Sequence, residues 1–274
     1  MTFKKLFIAA GIIAAGTYSA VASDIILDNY IGDNNYGGNQ DVLYNNVDLD
    51  IYSMSVSRSA TGEMTVRVYT DVVNNIGGSH PGGNLYYGDL FMSVQSNADA
   101  LAGNGAWAPD TSQSNYRNDD FYNGDTTWEY AYDLNGARTN NSSGNITGGS
   151  RLVSLDNPNS ASNYDFGVYR DGEHVYRVND NQTNDIGGGS VNVVRNGIQN
   201  NLGNYIQFVF NVSGTALASA DQIAFHWTTS LAKDVIEGVV TFAGNTTVPE
   251  PAALGLLLLG LTGVGFARRR KQSL

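Results

Sequence analysis

From residue 24 to residue 242, hydrophobic and polar positions alternate in short runs. No stretch sustains the spacing of an amphipathic helix. Val47, Leu49 and Ile51 alternate with Asp48, Asp50 and Tyr52, the period-two signature of a half-buried strand. In residues 63–73, Met64, Val66 and Val68 share one face, while Thr65, Arg67 and Tyr69 share the other. Ser59-Ala60-Thr61-Gly62 separates the two runs and predicts a β-hairpin. Residues 85–94 and 127–134, rich in Tyr, Phe and Trp, are two more strands. Residues 164–170 and 173–178 flank Asp171-Gly172, whose type I′ turn signal predicts a second hairpin. Strands at 191–195, 205–212, 222–229 and 235–242 bring the count to about ten, with one helical turn expected within 215–221. Residues 97–125 and 136–150 fit no strand and are expected as surface loops, where sandwiches usually carry function. The expectation is an all-β, antiparallel β-sandwich of jelly-roll-like type, forming one domain over residues 23–247.

The two ends follow other rules. Lys4 and Lys5 precede an apolar run over 6–16, and Ala20-Val21-Ala22 supplies a small-x-small exit. These are the three parts of a secretory signal peptide, here residues 1–22 with signal peptidase cutting near Ala22. The apolar run is too short for about 30 Å of hydrocarbon, and polar Ser23-Asp24 follows it at once. At the other end, Val248-Pro249-Glu250-Pro251 leads into an uncharged run over 252–267 and then Arg268-Arg269-Arg270-Lys271. As a helix that run rises about 24 Å, marginal as a single transmembrane segment. The basic cluster holds its own side in the cytoplasm, and the prolines leave an extended, cuttable segment outside. A plain, uncut anchor is the alternative.

Pro249-Glu250-Pro251, the short Leu/Gly-rich span and the terminal arginines together resemble the PEP-CTERM sorting signal, over residues 248–274. The resemblance implies recognition by an exosortase in the bacterial inner membrane and cleavage there. It further implies transient anchoring, then delivery to the cell surface or extracellular matrix. A second resemblance lies in the middle of the chain. Asp41-Val42-Leu43, the strand bearing Asp48 and Asp50, Tyr87-Gly88-Asp89-Leu90-Phe91, Phe225-His226-Trp227-Thr228 and Asp234-Val235-Ile236-Glu237-Gly238 are similar to segments of PEP-CTERM surface proteins without assigned activity. Relatives often carry a Cys-Gly-Asn-Asp run where this chain has Leu231-Ala232-Lys233-Asp234.

Composition narrows the chemistry. The chain has 15 basic and 26 acidic residues. The two ends hold six of the bases and one of the acids, leaving 9 against 25, or about −16, between them. Such a charge excludes nucleic acid as a partner, which needs a basic face. With no cysteine, thiolate zinc sites and thiol nucleophiles are excluded. Calcium is a candidate ligand: Asp48 and Asp50 share a strand face, and Asp180, Asn184 and Asp185 crowd a loop ending in Gly187-Gly188-Gly189. Turn formation explains the same residues without a metal.

Three histidines could act as bases: His80 in a loop, His174 on the second hairpin and expected exposed, and His226 expected as a packed structural residue. Nothing spaced around them makes a hydrolase triad, so no catalytic residue is assigned. Asp119, Asp120, Asp125 and Glu129, near Trp128, are the best carboxylate cluster for a secreted carbohydrate-active enzyme. The leading expectation is instead a non-enzymatic, structural or adhesive surface protein. It would bind extracellular polysaccharide through aromatic loops around Trp107, Tyr116, Trp128 and Tyr130. A surface component with no discrete ligand is the remaining alternative.

Overall fold

The structure is a computed structural model of the full chain. It describes residues 22–28, 43–44, 47–80, 83–95, 127–156, 160–168, 174–179, 181, 183–196 and 203–242. The chain divides into two compact units, Met1–Phe242 and Ala243–Leu274, and every described residue belongs to the first. The described strands begin with β1 (Ala22–Leu27), β2 (Leu43–Tyr44), β3 (Val47–Asp48), β4 (Ile51–Arg58), β5 (Glu63–Thr70), β6 (Ser79–His80) and β7 (Gly83–Asn84). The middle of the unit adds β8 (Leu90–Gln95), β9 (Tyr130–Asp133), β10 (Gly144–Ile146), β11 (Arg151–Leu155), β12 (Tyr164–Phe166) and β13 (Val175–Val178). It ends with β14 (Thr183–Val194), β15 (Tyr205–Asn211), β16 (Gln222–Thr228) and β17 (Val235–Thr241).

All pairings are antiparallel, and the main sheet runs β1-β4-β5-β15-β14-β11-β9-β8-β16-β17, with β10 beside β14. Its two ends meet: β1 packs beside β17, with Ile26 seated over Gly238, so the sheet is nearly closed. Strand β14 is the corner. Residues 189–194 pair with β15, whereas residues 183–188 pair with β11. The turn between these two pairings falls at Gly187-Gly188-Gly189. A side chain at Gly189 would stand 2.4 Å from Val209 O and 2.6 Å from the Tyr132 hydroxyl, so only glycine fits. The result is a first sheet (β1, β4, β5, β15 and the end of β14) facing a second (the start of β14, β11, β9, β8, β16 and β17).

Between the sheets lies the main core. Met54, Val56, Met64, Val66, Val68, Ile206, Phe208 and Phe210 come from the first sheet, with Leu90, Met92, Tyr132, Ile223, Phe225 and Trp227 from the second. Each fully buried apolar side chain contributes roughly 1.5–3 kcal/mol. The first sheet turns a polar face outward, where Arg67 donates to Gln207 and lies over the Tyr205 ring. The second sheet is covered on its outer face too. The β12–β13 hairpin lies there, closing a smaller core of Phe91, Trp128, Ala131, Val153, Leu155, Tyr164, Val175, Val178 and Ala224.

Several expectations are met and several are displaced. The turn at 59–62 does join a hairpin, with Arg58 opposite Met64, but its first strand is 51–58 rather than 47–52. Ser53, Ser55 and Ser57 alternate with Met54 and Val56 there, a pattern too mildly polar to stand out. The strand expected over 63–73 stops at Thr70, whose hydroxyl accepts from Val72 N and caps a 3-10 turn, Asp71–Asn74. The 136–150 stretch expected as loop contains a 3-10 turn, Asn135–Thr139, and β10. Residues 184–189, also expected as loop, belong to β14. The expected loop at 97–125 lies outside the described residues, as do the ends and the Asp171-Gly172 turn; Ala22 opens β1 by its backbone.

Candidate functional site

The site is built on the hairpin over the second sheet, and a buried charge holds that hairpin down. Asp89, fully buried, accepts from Leu134 N at 2.8 Å and from Val178 N at 2.9 Å. Arg138 grips the same carboxylate with Nε (3.2 Å) and Nη2 (2.8 Å), and reaches Asp133 Oδ1 at 2.5 Å. Burial pushes the Asp89 carboxyl up, opposed by the Arg138 charge and the backbone donors. One charge thus ties β13, the 3-10 turn and the segment before β8 together. Backbone bonds add to it: Asp89 N donates to Tyr176 O (2.7 Å), and Val168 N to Ser230 O (3.0 Å). Gly88 lies where these chains converge; a Cβ there would stand 2.1 Å from Thr228 O, so no other residue fits.

Where the hairpin meets the chain at 83–86 and 230, an open cleft of about 490 Å³ remains. Tyr86, Tyr164, Phe166 and Tyr176 line it with aromatic surface, and Asn84, Asp165 and Ser230 contribute polar atoms. Its walls are braced. Ser230 Oγ donates to Asn84 O (2.9 Å) and accepts from Tyr86 N (2.9 Å), while Asn84 Nδ2 donates to the Tyr86 hydroxyl (3.0 Å). Arg177 pairs with Asp165 and lies 5.9 Å from the Tyr176 ring centre. The Tyr164 hydroxyl donates to Trp128 O (3.2 Å). Its pKa is raised by burial first and by the Glu129 charge second, so it stays a neutral donor. Aromatic faces beside an amide, a carboxylate and hydroxyls form a surface for a polar ligand that also has apolar faces.

Beneath the hairpin, three ionisable side chains meet inside the protein. His226 and Glu237 are direct cross-strand partners on β16 and β17, and His174 immediately precedes β13. All three are buried, at 1%, 5% and 2% exposure, so His174 is not the exposed residue its turn suggested. His226 Nδ1 is in short contact with Glu237 Oε1, and His226 Nε2 donates to Val175 O at 2.7 Å. His174 Nδ1 is 3.9 Å from Glu237 Oε1. Among the described residues this is the group of His and acidic side chains whose ligand atoms gather within 4.8 Å. The sequence held a signal for it. His226 and Glu237 each interrupt an otherwise apolar strand, and in an antiparallel pair such residues oppose one another.

The residues expected to bind polysaccharide are placed differently. Trp128 is 1% exposed and its ring packs against Phe91 and His226, so it offers no face to a sugar. Tyr130 is half-buried against the main core. Trp107 and Tyr116 lie outside the described residues. Asp48 lies on β3. Asp50 precedes β4, and its carbonyl accepts from the Thr70 hydroxyl and from Asp71 N. Asp185 is exposed on β14 opposite Val153, and Asp180 lies outside the described residues. Of the carboxylates considered for catalysis, Glu129 accepts from Val94 N at 3.0 Å, and burial raises its pKa. Asp119, Asp120 and Asp125 are outside the described residues, as are Ala20, Pro249, Glu250, Pro251 and Arg268 to Arg270.

The family model of the PEP-CTERM protein-sorting motif matches residues 247–271. No curated protein and no solved structure matches the chain. The motif marks an exported protein that exosortase sorts to the surface.

Proposed function

We propose that this exosortase-sorted chain is a non-enzymatic surface or matrix protein that holds extracellular polysaccharide in the cleft beside the β12–β13 hairpin. The supporting observation is the aromatic lining of that cleft, with Tyr86, Phe166 and Tyr176 beside Asn84, Asp165 and Ser230. Sugar rings present C–H faces that pack on aromatics, and hydroxyls that bond to amides and carboxylates. In this reading the double sheet is jelly-roll-like, an architecture that also carries lectin domains. The tail is cut near Pro249–Pro251 after transient anchoring in the inner membrane, and the folded unit is released to the surface or matrix.

Binding of the purified protein to the producer's own polysaccharide tests the cleft. Tyr86→Ala and Tyr176→Ala should each weaken retention on the order of tenfold, about 1.4 kcal/mol. Retention unchanged in both variants removes the cleft from the proposal. A turnover assay against a glycan panel separates binding from catalysis: released sugar would favour a carbohydrate-active enzyme instead. The intact mass of protein recovered from cells reports the processing, and a full-length mass would refute release by cleavage.

A further inference from the structure

We propose that His174, His226 and Glu237 form a buried binding site for one divalent transition-metal ion of the zinc class. The donor set suits it, since imidazole and carboxylate are ligands of catalytic and structural zinc alike. The three ligand atoms lie within 4.8 Å of one another. Donors around a tetrahedral zinc, with bonds of about 2.0–2.1 Å, stand roughly 3.3 Å apart. To reach that spacing His174 Nδ1 and Glu237 Oε1, at 3.9 Å, would close slightly, and the short His226–Glu237 contact would open as the ion enters.

Orientation supports the same reading. A carbonyl oxygen can only accept, so the 2.7 Å contact fixes the proton of His226 on Nε2, facing Val175 O. Nδ1 is then the atom turned towards Glu237. A ligand imidazole held through its other N–H by a backbone carbonyl is the usual outer-shell arrangement of metal histidines. Around it, the Trp128 ring lies tilted at 5.4 Å and the Phe91 ring edge-on at 5.7 Å from the His226 ring, an apolar wall on that side of the site.

Without a metal, the short His226–Glu237 contact requires one proton between nitrogen and oxygen, because two lone pairs cannot face each other. A metal ion takes that proton's place, so binding releases a proton. Affinity should therefore fall as the pH is lowered. Cross-strand pairing fixes two donors in the sheet, and His174 brings the third from the hairpin. The metal would therefore tie the hairpin to the second sheet, and its loss would loosen the wall of the cleft.

The test uses the untagged full chain, refolded with zinc or cobalt because the three donor side chains are buried. One equivalent of metal after dialysis is expected, with the visible bands of tetrahedral cobalt. Glu237→Gln keeps the shape and hydrogen bonding of the side chain but lacks the anionic ligand, and should lower affinity at least tenfold. His174→Asn should do the same. X-ray absorption at the zinc edge of the wild-type protein needs no variant, and should show imidazole scattering. No retained metal, retention unchanged in both variants, or a zinc edge without imidazole would each overturn the site.

Discussion

The two sheets are made from similar residues but serve different neighbours. The first is apolar inside and wet outside: Met64, Val66 and Val68 face the core, while Arg67 and Tyr69 face solvent. The second has protein on both faces, so β16 is buried along almost its whole length, from Ile223 to Thr228. The difference lies in what can be placed on an outer face. On the wet side a polar group costs little. On the covered side it must be paired, and the second sheet carries Asp89–Arg138–Asp133 and His226–Glu237 there. A covered polar face is also where a specific site can be built, since its groups are fixed and poorly screened.

Four substitutions break or sharpen that contrast. Asp89→Ala should be the most damaging, because it takes one of the two carboxylates from Arg138 and leaves two backbone N–H groups unsatisfied in the interior. A loss of about 3–5 kcal/mol in urea unfolding is expected. A loss under about 1 kcal/mol would mean that the hairpin is not pinned by charge. Next comes Ala224→Asp, which puts an unpaired carboxylate under the hairpin and should cost about 2–3 kcal/mol, with earlier proteolysis of the hairpin than of the first sheet.

Smaller effects are expected where groups reach water. Burial raises the Glu129 pKa, so its neutral form suits the folded state better. Stability from this group is present at low pH and is lost as pH rises through the raised folded value. Glu129→Gln, which imitates the protonated form and can still accept from Val94 N, should therefore raise the melting temperature slightly at pH 7. The gain should vanish below the ordinary carboxylate range; a destabilised variant at pH 7 would reverse the assignment. Arg67→Ala, on the wet face, should change stability by no more than about 0.5 kcal/mol, since its bonds to Gln207 and Tyr205 are solvent-screened.

The sequence by itself determined the local facts. Alternation at 63–70 marked a half-buried strand, the 59–62 turn marked its hairpin, and β15, β16 and β17 lie within a residue of their expected bounds. The sorting motif was also legible, because a sorting enzyme reads it as a linear string. The tertiary structure alone decided what each apolar run touches. A strand buried on both faces is uniformly apolar whichever element covers it, so nothing local announced that the β12–β13 hairpin lies over the second sheet. That placement buried His174, turned Trp128 from a surface aromatic into core, and opened a cleft lined by Tyr86 and Tyr176, distant from each other in sequence. Period and turn chemistry are written within a few residues. Burial and convergence belong to segments far apart along the chain, which meet only when the sheet folds back on itself.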